Sequence, residues 1–184
     1  LLVRSADRAE ASRRELTAMF RDLTHQRRHK PKNDPISELA SVEGKKGGLN
    51  EQELLGLCVF LFVAGHETTV GLIGNGMLTL LNNPNEVLRL KRDWLLLPTA
   101  VEELLRYESP IQIGSTSAGK TIATSPSAGE FTLACLGAPL ARVEAQVAIR
   151  TLLKRFPALR LENDKASWWK NMAMRSPTYL TVKF

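Results

Sequence analysis

Residues 49–81, LNEQELLGLCVFLFVAGHETTVGLIGNGMLTLL, decide how the rest of this chain is read. Asn50 suits a helix N-cap, and Glu53 stands three places on, the spacing at which two residues cap each other reciprocally. From Leu54 to Val63 the run is apolar on every side, so a helix built from it must be surrounded by protein. The segment Ala64-Gly65-His66-Glu67-Thr68-Thr69 then breaks the run, and apolar residues resume as far as Leu81. Polar groups in a buried helix are costly unless something uses them.

As one helix this stretch is roughly 48 Å long at about 1.5 Å per residue. Its uninterrupted apolar run is shorter than the roughly 18 residues of a membrane span, and the break sits where lipid would be, so no membrane segment is expected. Gly65 costs about 1 kcal/mol relative to Ala in a helix, which suggests close approach of a flat ligand or another backbone. On spacing alone, a core helix with a tolerated polar kink, Thr68 bonding back to a carbonyl one turn earlier, explains the pattern.

The wording of the break says more than its spacing. Ala64-Gly65-His66-Glu67-Thr68-Thr69 resembles the oxygen-activation motif in the long central I helix of cytochrome P-450 monooxygenases, especially the soluble bacterial type. The resemblance implies Thr68 as the hydroxyl that supports proton delivery to iron-bound dioxygen, Glu67 as its acidic neighbour, and Ala64 and Gly65 as cofactor-binding positions. His66 is given no role.

Two further stretches carry the same resemblance. Glu103 and Arg106 are three apart on a helix expected from Pro98 to Tyr107, a spacing that allows an ion pair and, as a bare pattern, usually means a surface pair worth under about 1 kcal/mol. They stand inside Ala100-Val101-Glu102-Glu103-Leu104-Leu105-Arg106-Tyr107-Glu108-Ser109-Pro110, which resembles the family's K helix, where the pair is structural and not catalytic. Cys135 precedes Leu136-Gly137-Ala138-Pro139-Leu140-Ala141-Arg142, which leads into a helix reaching about Arg155, with Pro139 suited to its first turn. A thiolate there lies beside the positive end of the helix. A lone Cys otherwise reads as a small core residue. The run resembles the family's proximal motif, which makes Cys135 the position matching the axial ligand of haem iron and Gly137 a cofactor-binding position.

Size and charge bound the alternatives. The chain has 184 residues, 43% of them hydrophobic, enough for one core. Its formal net charge of +6 is spread over several helices. Only Arg27-Arg28-His29-Lys30-Pro31-Lys32 forms a cluster, with almost no aromatics between, which reads as a solvated helix end and not a nucleic-acid surface. Two cysteines, Cys58 and Cys135, do not make a secreted disulfide framework, and a reducing cytoplasmic setting is the default. His66-Glu67-Thr68-Thr69-Val70 begins like a zinc-protease helix, but Val70 stands where the second His must be. Gly71, Gly74 and Gly76 follow no strand and make a poor dinucleotide loop.

Around these motifs the pattern predicts helices over Ser5 to His29, Ile36 to Val42 and Asn85 to Arg92. It also predicts a strand and turn from Ile111 to Thr124, and a terminal hairpin from the alternation in 179–184. The resemblance covers nearly all of the chain, while the chain covers less than half of the family's fold. Two departures stand out. Gly114-Ser115-Thr116-Ser117 replaces a stretch where the family has an Arg for a haem propionate. Ahead of Cys135, Ala128-Gly129-Glu130-Phe131-Thr132-Leu133-Ala134 lacks the usual Phe and Gly loop, as though two segments had been fused at Leu136 to Ala138. The expectation is a mainly α-helical P-450 fragment, G to L helices, with a small β component, forming one partial domain over 1–184. The resemblance implies haem b (iron protoporphyrin IX), a small organic substrate and a ferredoxin-type electron donor with its reductase.

Overall fold

The computed structural model describes residues 2–115, 121–123, 135–163, 166–169 and 174–184. Six α-helices account for most of them: α1 (Leu2–His29), α2 (Pro35–Val42), α3 (Glu51–Asn82), α4 (Pro84–Arg92), α5 (Leu97–Tyr107) and α6 (Ala138–Arg155). A 3₁₀ turn, Trp94–Leu96, joins α4 to α5. Six short strands pair two by two: β1 (Ile113–Ser115) with β2 (Thr121–Ala123), β3 (Arg160–Leu161) with β6 (Val182–Lys183), and β4 (Ser167–Trp168) with β5 (Pro177–Tyr179), all antiparallel. The fold is a mainly helical one with a small β component.

The chain divides into two compact units, Leu1–Ala64 and Gly65–Phe184, and α3 contributes residues to both. In the first unit Phe20, Leu54, Leu55 and Cys58 form a buried cluster, flanked by Leu23, Ile36, Leu39 and Val59. The Phe20 and Phe62 rings meet edge to face with centroids 5.9 Å apart. The start of α3 is built as its sequence dictates: Glu53 N–H donates to Asn50 Oδ1 at 2.9 Å, and Asn50 N–H donates to Glu53 Oε2 at 2.8 Å. Asp34 caps α2 by accepting from Ser37 N–H at 2.9 Å. The basic cluster at the end of α1 is less solvated than its composition suggests, because Arg27 pairs with Asp34 and Arg28 with Glu43.

In the second unit the core gathers Leu72, Met77 and Leu80 of α3, Val101 and Leu104 of α5, and Ala145, Ile149 and Leu153 of α6. Gly76 lets α5 and α6 come close, since a Cβ there would lie 3.1 Å from Leu104 Cδ1 and 3.7 Å from Ile149 Cδ1. The last strands correct the expected hairpin: β5 and β6 do not pair with each other. β6 lies against β3, secured by Glu162 N–H donating to the Thr181 carbonyl at 2.9 Å and by Lys183 on Glu162 at 3.1 Å. Alternating residues specify a strand and leave its partner open: β5 pairs with the preceding β4, and β6 with the distant β3. Residues 116–120 and 124 of the expected strand and turn, and the segment 128–134 ahead of Cys135, lie outside the described residues.

Candidate functional site

The polar break lies inside an unbroken helix. Along α3, Gly65, His66 and Glu67 are exposed, while Ala64, Thr68 and Thr69 are half-buried. Gly65 does not admit another backbone, as its helix cost suggested, because a Cβ built on it would meet nothing within 4 Å. The apolar residues before the break are also uncovered: Phe60 is 64% exposed, and Leu61, Phe62 and Val63 are all exposed. By length and composition alone α3 is long and apolar enough to span a membrane, and 17% of its most apolar window is buried. Counting the uninterrupted run put the helix below that threshold; averaging along it tolerates the glycines and threonines and puts it above.

Cys135 is a free, exposed thiol, and its carbonyl accepts from Ala138 N–H at 3.1 Å where α6 begins. Gly137, at the N-cap of α6, has no side chain to cap the helix, and among the described residues no side chain is bonded to its first N–H groups. The sulfur lies 3.9 Å from the place a Cβ on Gly137 would occupy. One turn into α6, Arg142 grips Glu102 of α5 with both arms of its guanidinium, Nη2 to Oε2 at 3.0 Å and Nε to Oε1. That hydrogen bond to the Glu102 carboxylate is the main reason Arg142 holds its proton more firmly than usual, and the nearby Cys135 sulfur adds a smaller electrostatic contribution. Glu102 and Arg142 thus join α5 to α6 beside the cysteine.

Glu103 and Arg106 pair as their spacing predicts, through two hydrogen bonds of 2.8 and 2.6 Å, with both side chains more than half exposed. The Arg106 bond holds the Glu103 carboxyl below the usual carboxylate range. The pair has no third partner among the described residues. Glu103 borders a cleft of about 420 Å³ together with Thr79, Asn83, Thr99 and Tyr107. A second, apolar cleft of about 270 Å³ lies between Met77, Leu152, Leu180 and Phe184. Neither cleft is lined by Cys135 or Thr68. Among the described residues no group of three His, Cys, Asp or Glu could hold a metal ion.

Sequence reading missed two residues that this site uses. Asn75 is buried in the second half of α3, and Arg175 reaches Glu108 at the exit of α5. A single polar residue in the apolar stretch from Val70 to Met77 was the available signal for the first. Arg175 gave none, because its partners are distant in sequence.

No family model matches the chain. Similar curated proteins are bacterial cytochrome P450s. The biotin biosynthesis cytochrome P450 of Bacillus subtilis is 35% identical, over 91% of this chain and 52% of its own length. The polyketide biosynthesis cytochrome P450 PksS of the same organism is 36% identical, over 92% of this chain and 52% of its own length. The solved structure of PksS superposes with a TM-score of 0.77, covering 92% of this chain and 54% of that one. A myxobacterial cytochrome P450 in complex with myristic acid gives 0.81 at 32% identity, covering 96% and 54%. The chain therefore spans about half the length of the curated relatives it matches. The match to 6-deoxyerythronolide B hydroxylase of Saccharopolyspora erythraea runs over 228 residues against the whole of this 184-residue chain, so some residues of that relative within the matched region have no counterpart here.

Haem is the group that these relatives imply, and the donor chemistry of the chain fits it. A free thiol at an uncapped helix start is a suitable soft ligand for iron. On α3, the open space over Gly65 leaves room for a flat group.

Proposed function

We propose, for a chain that is a partial cytochrome P450, the chemistry of a haem-thiolate monooxygenase acting on a small organic substrate. The observation that carries the reading is the free Cys135 thiol just ahead of α6 and of the run Leu136 to Arg142. All of 1–184 is then one partial domain of that fold, with α3, α5 and α6 as its I, K and L helices. The setting is cytoplasmic, with electrons drawn from a ferredoxin-type donor and its reductase.

In this reading Cys135 would hold the haem iron through its sulfur, and the first N–H groups of α6 would favour its thiolate. Gly137 keeps the ligand segment slim, while Ala64 and Gly65 leave the α3 wall flat. When bound through a thiolate, haem iron supplies dioxygen activation and O–O cleavage. Thr68, half-buried on α3, would hold a proton at Oγ1 for delivery to the oxygen chemistry. Glu67, adjacent on the helix and exposed, exchanges protons with water and replenishes that hydroxyl. Glu103 and Arg106 act structurally, on α5.

Haem titration tests the assignment: the wild-type chain should bind one equivalent, and Cys135→Ser should lose the thiolate signature. Thr68→Ala should leave haem binding intact while lowering oxidised product per electron at least tenfold, with Thr68→Ser retaining it. An unchanged product yield in Thr68→Ala would remove Thr68 from the proton path. The alternative reading is a non-catalytic helical remnant without stable haem. The residues that the hydroxylase relative carries within the matched region and this chain lacks favour it, and failure of the chain to bind haem would support it over the monooxygenase reading.

A further inference from the structure

Asn75 is seven residues beyond Thr68 on α3, close to two full turns, so the two side chains share a helix face. It is 1% exposed. Its Nδ2 donates to the Glu108 carbonyl at 3.0 Å and to the Arg175 carbonyl at 2.9 Å, joining segments far apart in sequence. Turning the amide over would aim Oδ1 at two carbonyl oxygens, so the orientation follows from the partners. Oδ1 is left without a partner among the described residues. A buried orphan acceptor is costly, and here it accompanies two donor bonds made by the same amide.

The segments that Asn75 holds are also bound to each other. Arg175 N–H donates to the Pro110 carbonyl at 2.9 Å, and Ile111 bridges to Met174. The Arg175 side chain donates to Glu108 Oε2 at 2.8 Å, with its guanidinium 3.8 Å from the centre of the Trp168 ring. Between Thr68 and Asn75, Gly71 admits Pro110 so closely that a Cβ on the glycine would lie 2.8 Å from Pro110 Cβ.

We infer that Asn75 is a positioning residue, whose amide fixes the segments at Glu108–Ile111 and Met174–Ser176 against the α3 face that carries Thr68. Its relevance to chemistry rests on the role proposed for Thr68; the clamp itself needs no haem. Arg175 is the second element of the same clamp, locking the two segments once Asn75 has placed them.

Residue-resolved hydrogen exchange on the purified chain tests the clamp. Asn75→Asp keeps the size of the side chain and removes both donors, and Asn75→Ala serves if the buried acid prevents folding. The Arg175 amide, bonded to Pro110, should exchange at least tenfold faster in the variant. The Glu108 amide, bonded to Leu104 within α5, and the Ile149 amide in α6 should change less than twofold. An unchanged Arg175 amide would overturn the inference. So would an acceleration shared equally by Arg175, Glu108 and Ile149, which is what loss of overall stability alone produces. A chain that fails to bind haem would sink the reading of Thr68 and leave this exchange pattern standing.

Discussion

The same substitution at two glycines of one helix should have opposite effects. Replacing Gly by Ala within a helix stabilises by about 0.4–1 kcal/mol where the new methyl meets no obstacle, chiefly by restricting the unfolded chain. Gly65 is such a place, exposed and with nothing within 4 Å of an added Cβ. At Gly71 the methyl would lie 2.8 Å from Pro110 Cβ and 3.5 Å from Ser176 Cβ, and Pro110 is itself buried. Overpacking of this kind costs about 1–3 kcal/mol, which over most of that range exceeds the helix gain and leaves a net loss of up to roughly 2.6 kcal/mol. In thermal melts of a chain this size, about 1 kcal/mol moves the midpoint by about 2–4 °C, so the two variants should fall on opposite sides of the wild type. Equal stabilisation by Gly71→Ala and Gly65→Ala would refute the packing assigned to Pro110. The stabilised Gly65→Ala variant should nonetheless bind haem more weakly, because its methyl enters the space left for a flat group.

Other outcomes follow from the same geometry. The bond from Arg27, helped by the Ser37 N–H, holds Asp34 down to about 2, below the usual range for an aspartate of about 3.9. A depressed carboxylate contributes stability above its unfolded value and loses it as pH falls through the folded one. Amide protection in α2, corrected for the intrinsic pH dependence of exchange, should therefore fall between about pH 4 and about pH 2, and a carboxyl titration of Asp34 centred near 4 would contradict this. Asn50→Ala should cost about 1 kcal/mol and loosen the first turn of α3, read by urea denaturation and amide exchange, with no loss counting against the reciprocal cap. Burial pushes the Cys58 thiol up, whereas Cys135 is exposed. Iodoacetamide followed by peptide mass mapping should therefore modify Cys135 first, and equal rates would contradict the burial of Cys58.

Much of the helical framework was legible because its signals are local. Asn50 and Glu53 set the start of α3, Pro98 and Tyr107 bracket α5 to within a residue, and Glu103 meets Arg106 across one helical turn. What escaped depends on contacts between distant segments. Nothing near Asn75 announces that residues 33 and 100 places away will supply its two acceptors. The partners of β5 and β6 were misread because alternation fixes a strand's faces and not its neighbour. Gly65 shows the converse limit: a glycine's helix cost flags a special position without saying whether chain, ligand or open space is the reason. The motif around Cys135 was legible as words, and what those words still do depends on whether the shortened chain places its thiol on iron.

That dependence is tested most directly by the difference spectrum of the haem-reconstituted chain, reduced and exposed to carbon monoxide, measured beside Cys135→Ser. The account predicts a thiolate-type Soret band in the wild type that is lost in the variant. No such band, or a band unchanged by the substitution, would contradict Cys135 as the iron ligand.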